Sequence, residues 1–165
     1  VSSALAREGL PHHMVEVGGE VRARGFNGSE QVWRIGIERP TSAGRSVQFE
    51  VPLADLSLAT SGDYRNFVER DGVRISHTID PRSGRPISHN LASVSVIHAS
   101  CMTADGLATA LSVLGPDEGF EFAERQEIPA YFLVRVAVDE FEERQTSAWT
   151  SLIENTPSQG IVNEE

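Results

Sequence analysis

The chain has 165 residues, 39% hydrophobic and 23% charged, a balance that reads as one globular domain with a sizeable core. No stretch approaches the ~18 consecutive apolar residues of a membrane span, and a net charge of −10 argues against non-specific nucleic-acid binding, which needs a basic face. The lone Cys101 excludes an intramolecular disulfide framework and a cysteine-based zinc site.

Residues 1–9 read as the last turns of a helix that Gly9 stops. That helix has no start signal and opens on Val1, so the sequence is expected to be a processed product or a piece of something longer. His13 to Val17 reads as a strand, and Gly18-Gly19 as a tight turn. Val21 to Arg24 and Trp33 to Glu38 alternate apolar with polar residues, as half-buried strands do. Pro40 to Gly44 is a loop; Val47 to Val51 and Leu56 to Thr60 are further strands. Val73 to Ile79 alternates so that Val73, Ile75, His77 and Ile79 share a face. Asp80 to Gly84 has turn chemistry, and Leu91 to Ile97 is a strand. Met102, Leu107, Leu111 and Leu114 recur at helical spacing, and Gly115-Pro116 ends that helix. A second helix is expected at about 117–126, then a strand from Ala130 to Val136. The acidic stretch from residue 139 is expected to be a loosely docked short helix or a disordered tail. The sum is an α+β domain rich in strands, spanning residues 1–138, followed by an acidic tail or short helix at 139–165.

Three polar clusters could carry chemistry. In TSGDYRNF (residues 60–67), backbone N–H groups around a glycine at a strand end can form an anion nest, and Arg65 could offer a fork of donors. The same residues would equally serve as a polar turn. In SHTIDPRSGRP (residues 76–86), His77 could be a packed core histidine or a functional group beside the turn that carries Asp80 and Arg82. In SCMTADGLATAL (residues 100–111), Asp105 and Thr109 stand four apart on one helical face. A carboxylate and a hydroxyl one turn apart offer hard oxygens to magnesium, which shares its other positions between water and substrate phosphates. The alternative is structural: Thr103 as N-cap, Asp105 placed to suit the helix dipole, and Thr109 bonded back to a carbonyl. A metal would also meet a condition set by the charge, because a −10 chain needs local positive charge to hold an anion. His12, His13, His89 and His98 have no metal-ligand spacing and read as surface or core residues.

The ordered set VEVGGEVRARG, TSGDYRNF, SHTIDPRSGRP, SCMTADGLATALSVLG and AYFLVR resembles the C-terminal half of the ApbE family over about residues 1–136. These are bacterial FAD:protein FMN transferases. The resemblance implies an antiparallel-rich mixed sheet with helices packed on it (a T-fold-like architecture), incomplete without an N-terminal half. It implies magnesium on Asp105 and Thr109, from the A-D-x-L-A-T segment. It implies His77 at the flavin site with a part in transfer, and Ser61, Gly62, Arg65 and Asp80 as candidate contacts to the cofactor. The implied reaction moves FMN from FAD to a threonine of an acceptor protein and releases AMP. His77 or a nearby carboxylate would take the hydroxyl proton. The implied partners are FAD, that acceptor protein and the N-terminal half, which carries a flavin- and adenine-holding region and a backbone carbonyl ligand to the metal. Two other readings are hydrolysis of FAD to FMN and AMP, and a FAD-holding module or fragment without activity. The implied location is the bacterial periplasm or a membrane anchor, with the cytoplasm left open.

Overall fold

The computed structural model describes residues 1–40, 46–62, 67–70 and 73–156, with the backbone alone at 67–70 and 73–75. The elements run α1 (Ser2–Arg7), β1 (His13–Val17), β2 (Glu20–Arg24), β3 (Trp33–Glu38), β4 (Val47–Leu53) and β5 (Ser57–Gly62). They continue β6 (Phe67–Arg70), β7 (Val73–Ser76), β8 (Ile79–Asp80), β9 (Arg85–Pro86), β10 (Leu91–His98), α2 (Cys101–Leu114) and α3 (Glu118–Arg125). The last three are β11 (Ala130–Ala137), β12 (Glu140–Gln145) and α4 (Ser147–Asn155).

One six-stranded sheet organises the molecule, in the order β1-β2-β5-β10-β11-β12. Every pairing within it is antiparallel. Hairpins β3–β4, β6–β7 and β8–β9 stand outside it as two-stranded pairs. Strand alternation sends side chains to two faces, and each face has its own core. On one, Ala130, Phe132 and Val134 of β11 pack with Val94 and Val96 of β10 under Ala108 and Leu111 of α2 and Ala123 of α3. On the other, Tyr131 and Leu133 meet Val51 and Leu53 of β4, Ile37 of β3 and Trp149 of α4. The sheet is therefore sandwiched between two helices and a hairpin-plus-helix layer, the layered plan that an apolar sheet needs on both faces.

Helix α2 begins at Ser100, whose extended backbone and side-chain Oγ, accepting from Thr103 N at 3.4 Å, make it the N-cap. The expected cap, Thr103, lies one turn inside. The buried residues of α2 are Ala104, Ala108, Leu111 and Ser112, whereas Met102 is 82% exposed. Small alanines on this face let the helix axis lie close to the strands, with Leu111 buried beside them and Leu107 and Leu114 packed alongside. Gly115 ends α2 at φ 86°, and a Cβ there would stand 2.8 Å from His89 Cδ2. His89 in turn accepts from Leu91 N at Nδ1 and donates from Nε2 to Ser112 O at 2.8 Å, tying the end of α2 to the start of β10.

The segment from residue 139, expected as a loosely docked short helix or a disordered tail, is a structural part of the domain as far as residue 156 and does contain a helix. Strand β12 pairs with β11 from Tyr131↔Gln145 to Ala137↔Glu140. Thr146 then caps α4, accepting from Trp149 N, and its buried hydroxyl donates to Ile128 O at 2.8 Å. Trp149 is wholly buried beside Tyr131 and Phe49, with ring centroids 5.5 and 6.1 Å away. Acidic composition concealed this because Glu140, Glu142 and Glu143 are exposed on an edge strand while one tryptophan does the anchoring. Residues 157–165 lie outside the described residues.

Candidate functional site

Strand β5 and helix α2 bring two of the three sequence clusters into contact. β5 runs beneath α2 and pairs with β10 through Gly62↔Ser93 and Ser61↔Val94. Its last residues, Thr60 to Gly62, are half-buried. Ser61 Oγ lies 3.1 Å from Thr109 Oγ1, a hydrogen bond between residues 48 apart in sequence. A neighbouring hydroxyl pair, Thr60 Oγ1 and Ser95 Oγ at 2.7 Å, is buried more deeply and holds the strands together.

Asp105 stands one turn before Thr109, and both side chains are exposed. Cys101 stands one further turn back, so the three residues form a line beside the buried Ala104–Ala108 face. This placement does not point into packed hydrocarbon. Asp105 lines an open cavity of about 510 Å³ between α1, the β1–β2 hairpin and the start of α2. Arg22, Arg24, Glu20, Cys101 and Met102 also line it. The Cys101 thiol is held above its ordinary pKa first by burial, then by the Glu20 carboxylate, so it is a weak nucleophile there.

His77 is exposed. β7 ends at Ser76, whose Oγ accepts from Thr78 N at 3.1 Å, and this break takes His77 off the strand face it was expected to share with Ile75 and Ile79. The packed-core alternative for His77 is thereby removed. Asp80 sits in a different place from Asp105. Its Oδ1 accepts from Arg82 N at 2.8 Å and Arg82 Nε at 3.1 Å. Those bonds, the backbone one first, hold the Asp80 carboxyl below its ordinary range. Arg82 also pairs with Glu118 at 3.2 Å, which pins the turn to α3. Asp80, Arg82, Arg85 and His89 line a second cavity, of about 410 Å³, at the far end of α2. The structure thus joins Ser61 to Thr109 and sets Asp105 on the next turn, with Gly62 following Ser61 at the strand end. It gives Asp80 the work of shaping its own loop. Arg65 lies outside the described residues.

Among the described residues no group of three His, Cys, Asp or Glu side chains gathers as a metal site. What the chain presents is a carboxylate and hydroxyls, Asp105, Thr109 and Ser61, on one accessible edge. This donor set is all hard oxygen and exposed to solvent, which fits magnesium, an ion that keeps waters and takes few protein ligands. The sequence reading missed Arg22 and Arg24 as neighbours of Asp105. The signal was present in VRAR, since alternation on β2 puts both arginines on the face opposite Val21 and Ala23.

The chain also resembles known proteins over most of its length. The ApbE family model matches residues 1–132. The FAD:protein FMN transferase of Vibrio cholerae is 48% identical over 149 residues, covering 90% of this chain and 44% of that protein. The FAD:protein FMN transferase of Haemophilus influenzae is 42% identical over 155 residues, covering 93% and 44%. Among solved structures, the flavin transferase ApbE from Vibrio cholerae superposes with a TM-score of 0.79 at 46% identity, covering 90% of this chain and 47% of that one. The apo flavinyl transferase ApbE of Pseudomonas stutzeri superposes at 0.78 with 44% identity, covering 92% and 46%. The chain spans about half the length of the curated relatives it matches.

Proposed function

The chain belongs to the ApbE family, and from that premise we propose that it forms the C-terminal half of an FAD:protein FMN transferase. The observation that carries the reading is the 3.1 Å bond between Ser61 and Thr109. It draws the polar strand end and the Asp105–Thr109 helix edge to one place, so that a carboxylate and two hydroxyls meet a single ligand.

In the proposed reaction a threonine hydroxyl of an acceptor protein attacks the FMN-side phosphorus of FAD. The new bond is Thr O–P, the broken one joins that phosphorus to the bridging oxygen, and AMP leaves with that oxygen. Asp105 and Thr109 would hold a magnesium ion, whose charge would offset that of the diphosphate. Ser61 orients the Thr109 hydroxyl through their shared bond, and Gly62 leaves the strand end without a side chain. His77, exposed beyond β7, accepts the hydroxyl proton at a ring nitrogen, the work of a general base. The second half of such a protein completes the flavin pocket and the metal's ligands. A periplasmic or membrane-anchored location is part of the same proposal.

The test incubates the complete protein with FAD, magnesium and an acceptor protein, then looks for flavin fluorescence on the denatured acceptor. A labelled acceptor is expected, and Asp105→Asn should lower labelling by more than the ~10–100-fold that losing a ligand-supporting group costs. Free FMN and AMP with an unlabelled acceptor would identify hydrolysis instead. Intact FAD throughout would sink both.

A further inference from the structure

The cavity that Asp105 lines is walled opposite by the β1–β2 hairpin. Glu20, Arg22 and Arg24 face it, alternating with Val21 and Ala23, which belong to the core on the other side of the sheet. Arg22 Nη1 donates to Ala99 O at 2.8 Å, which leaves most of its five N–H donors unused. The Arg24 side chain has no hydrogen bond or ion pair among the described residues, and no ion pair joins either arginine to Glu20 or Asp105. Arg34, Arg82, Arg125 and Arg144, by contrast, are each paired with a carboxylate.

Two arginines two residues apart on one strand face have Cα atoms about 7 Å apart. Their like charges repel unless an anion lies between them. A guanidinium fork matches a phosphate with two parallel bonds. Around these charges the wall is apolar: Val15, Val17 at 66% exposure and Met102 at 82% offer surface to a flat ring. The volume of about 510 Å³ suits a ligand of nucleotide size.

We infer that Arg22 and Arg24 bind the phosphate of a nucleotide in the cavity shared with Asp105, with Val17 and Met102 against its ring system. The inference deepens the proposed function and rests on it for the identity of the ligand. The phosphate could belong to the adenylate or to the flavin mononucleotide side, which share this chemistry.

Isothermal titration of the full chain with AMP, FMN and inorganic phosphate, each with and without magnesium, tests it. Binding of AMP or FMN is expected, and the tighter of the two identifies the source. Arg24→Ala should weaken it by ~10-fold or more, the loss of a charge-assisted bond. Arg24→Lys should restore part of that, and Arg22→Ala should act in the same direction. Arg34→Ala, which removes an exposed pair on β3–β4, should change nothing. Because Arg24 is exposed, its variants should keep the wild-type melting temperature. The inference is overturned if neither nucleotide binds, or if both arginine variants bind as wild type does. Inorganic phosphate binding as tightly as the nucleotides would also overturn it, by removing the ring contact. Arginine-dependent binding without flavin transfer would leave this inference standing and remove the transferase reading. Transfer with an unchanged KM in both variants would do the reverse.

Discussion

Replacing Trp149 by alanine should destabilise the whole domain, although the residue lies beyond the 1–132 stretch that the family model matches. A buried tryptophan removes ~150–250 Å² from water. At ~25 cal/mol per Å² this amounts to about 4–6 kcal/mol. The Trp149 Nε1–H is buried without a partner, and its removal returns about 1–3 kcal/mol. The net loss is therefore about 3 kcal/mol, at the lower end of large-to-small core changes. For a chain of this size that lowers the melting temperature by about 6–12 °C. Trp149→Phe separates the two contributions. It keeps a ring against Tyr131 and Phe49 and deletes the unpaired donor, so its loss should stay below ~1.5 kcal/mol. Calorimetry or circular dichroism on purified protein measures both. A Trp149→Ala variant melting within about 2 °C of wild type would mean that α4 is not part of the core, and the packing argument would fail.

Thr109→Val should leave stability within ~1 kcal/mol, because its one side-chain bond is to Ser61 at an exposed edge. It should weaken binding of Mn²⁺, used as a paramagnetic stand-in for magnesium, and unchanged affinity would remove Thr109 from the ligand set. The Asp80 turn should respond to pH in one direction. Its carboxyl is held below the ordinary 3.8 by the Arg82 backbone N–H and guanidinium, so its contribution is complete above that value. It is lost as pH falls through the lower folded pKa. Proteolysis or amide exchange across residues 80–85 should therefore be constant from neutral pH to about pH 4 and rise below it. Asp80→Asn should loosen the turn at neutral pH and remove its rise at low pH, and a rise already complete near pH 6 would assign it to another group.

Much of the fold was legible because strands and helix ends obey short-range rules. The alternation in VRAR, the β-branched run of β10 and the Gly115-Pro116 stop are local signals, and the elements lie where those signals put them. What misled was of two kinds. In α2 the helical spacing of Met102, Leu107, Leu111 and Leu114 holds for the three leucines, which pack on the sheet, but Met102 is left in solvent. In the last segment, acidic composition pointed to loose docking, whereas one wholly buried side chain, Trp149, ties it to the core. The site was legible in part. Spacing put Asp105 and Thr109 on one helical edge, and the structure agrees. The Ser61 contact joins residues 48 apart, and no local rule reports a meeting at that distance. His77 was placed on a strand by alternation that ran through Ile75 and Ile79, but the hydroxyl of Ser76 takes the Thr78 amide and ends the strand.

Strand β12 has a consequence for solubility. Its neighbour β11 is among the most hydrophobic strands of the molecule, with residues 130–134 all buried. Without β12, the outer backbone donors and acceptors of β11 would be a ready template for another chain to add a strand. β12 occupies that position and ends the sheet with Glu140, Glu142 and Glu143. Three like charges along a border make stacking of a second copy electrostatically costly. A segment with little claim to catalysis thus covers the outer edge of the hydrophobic strand β11 with an acidic one.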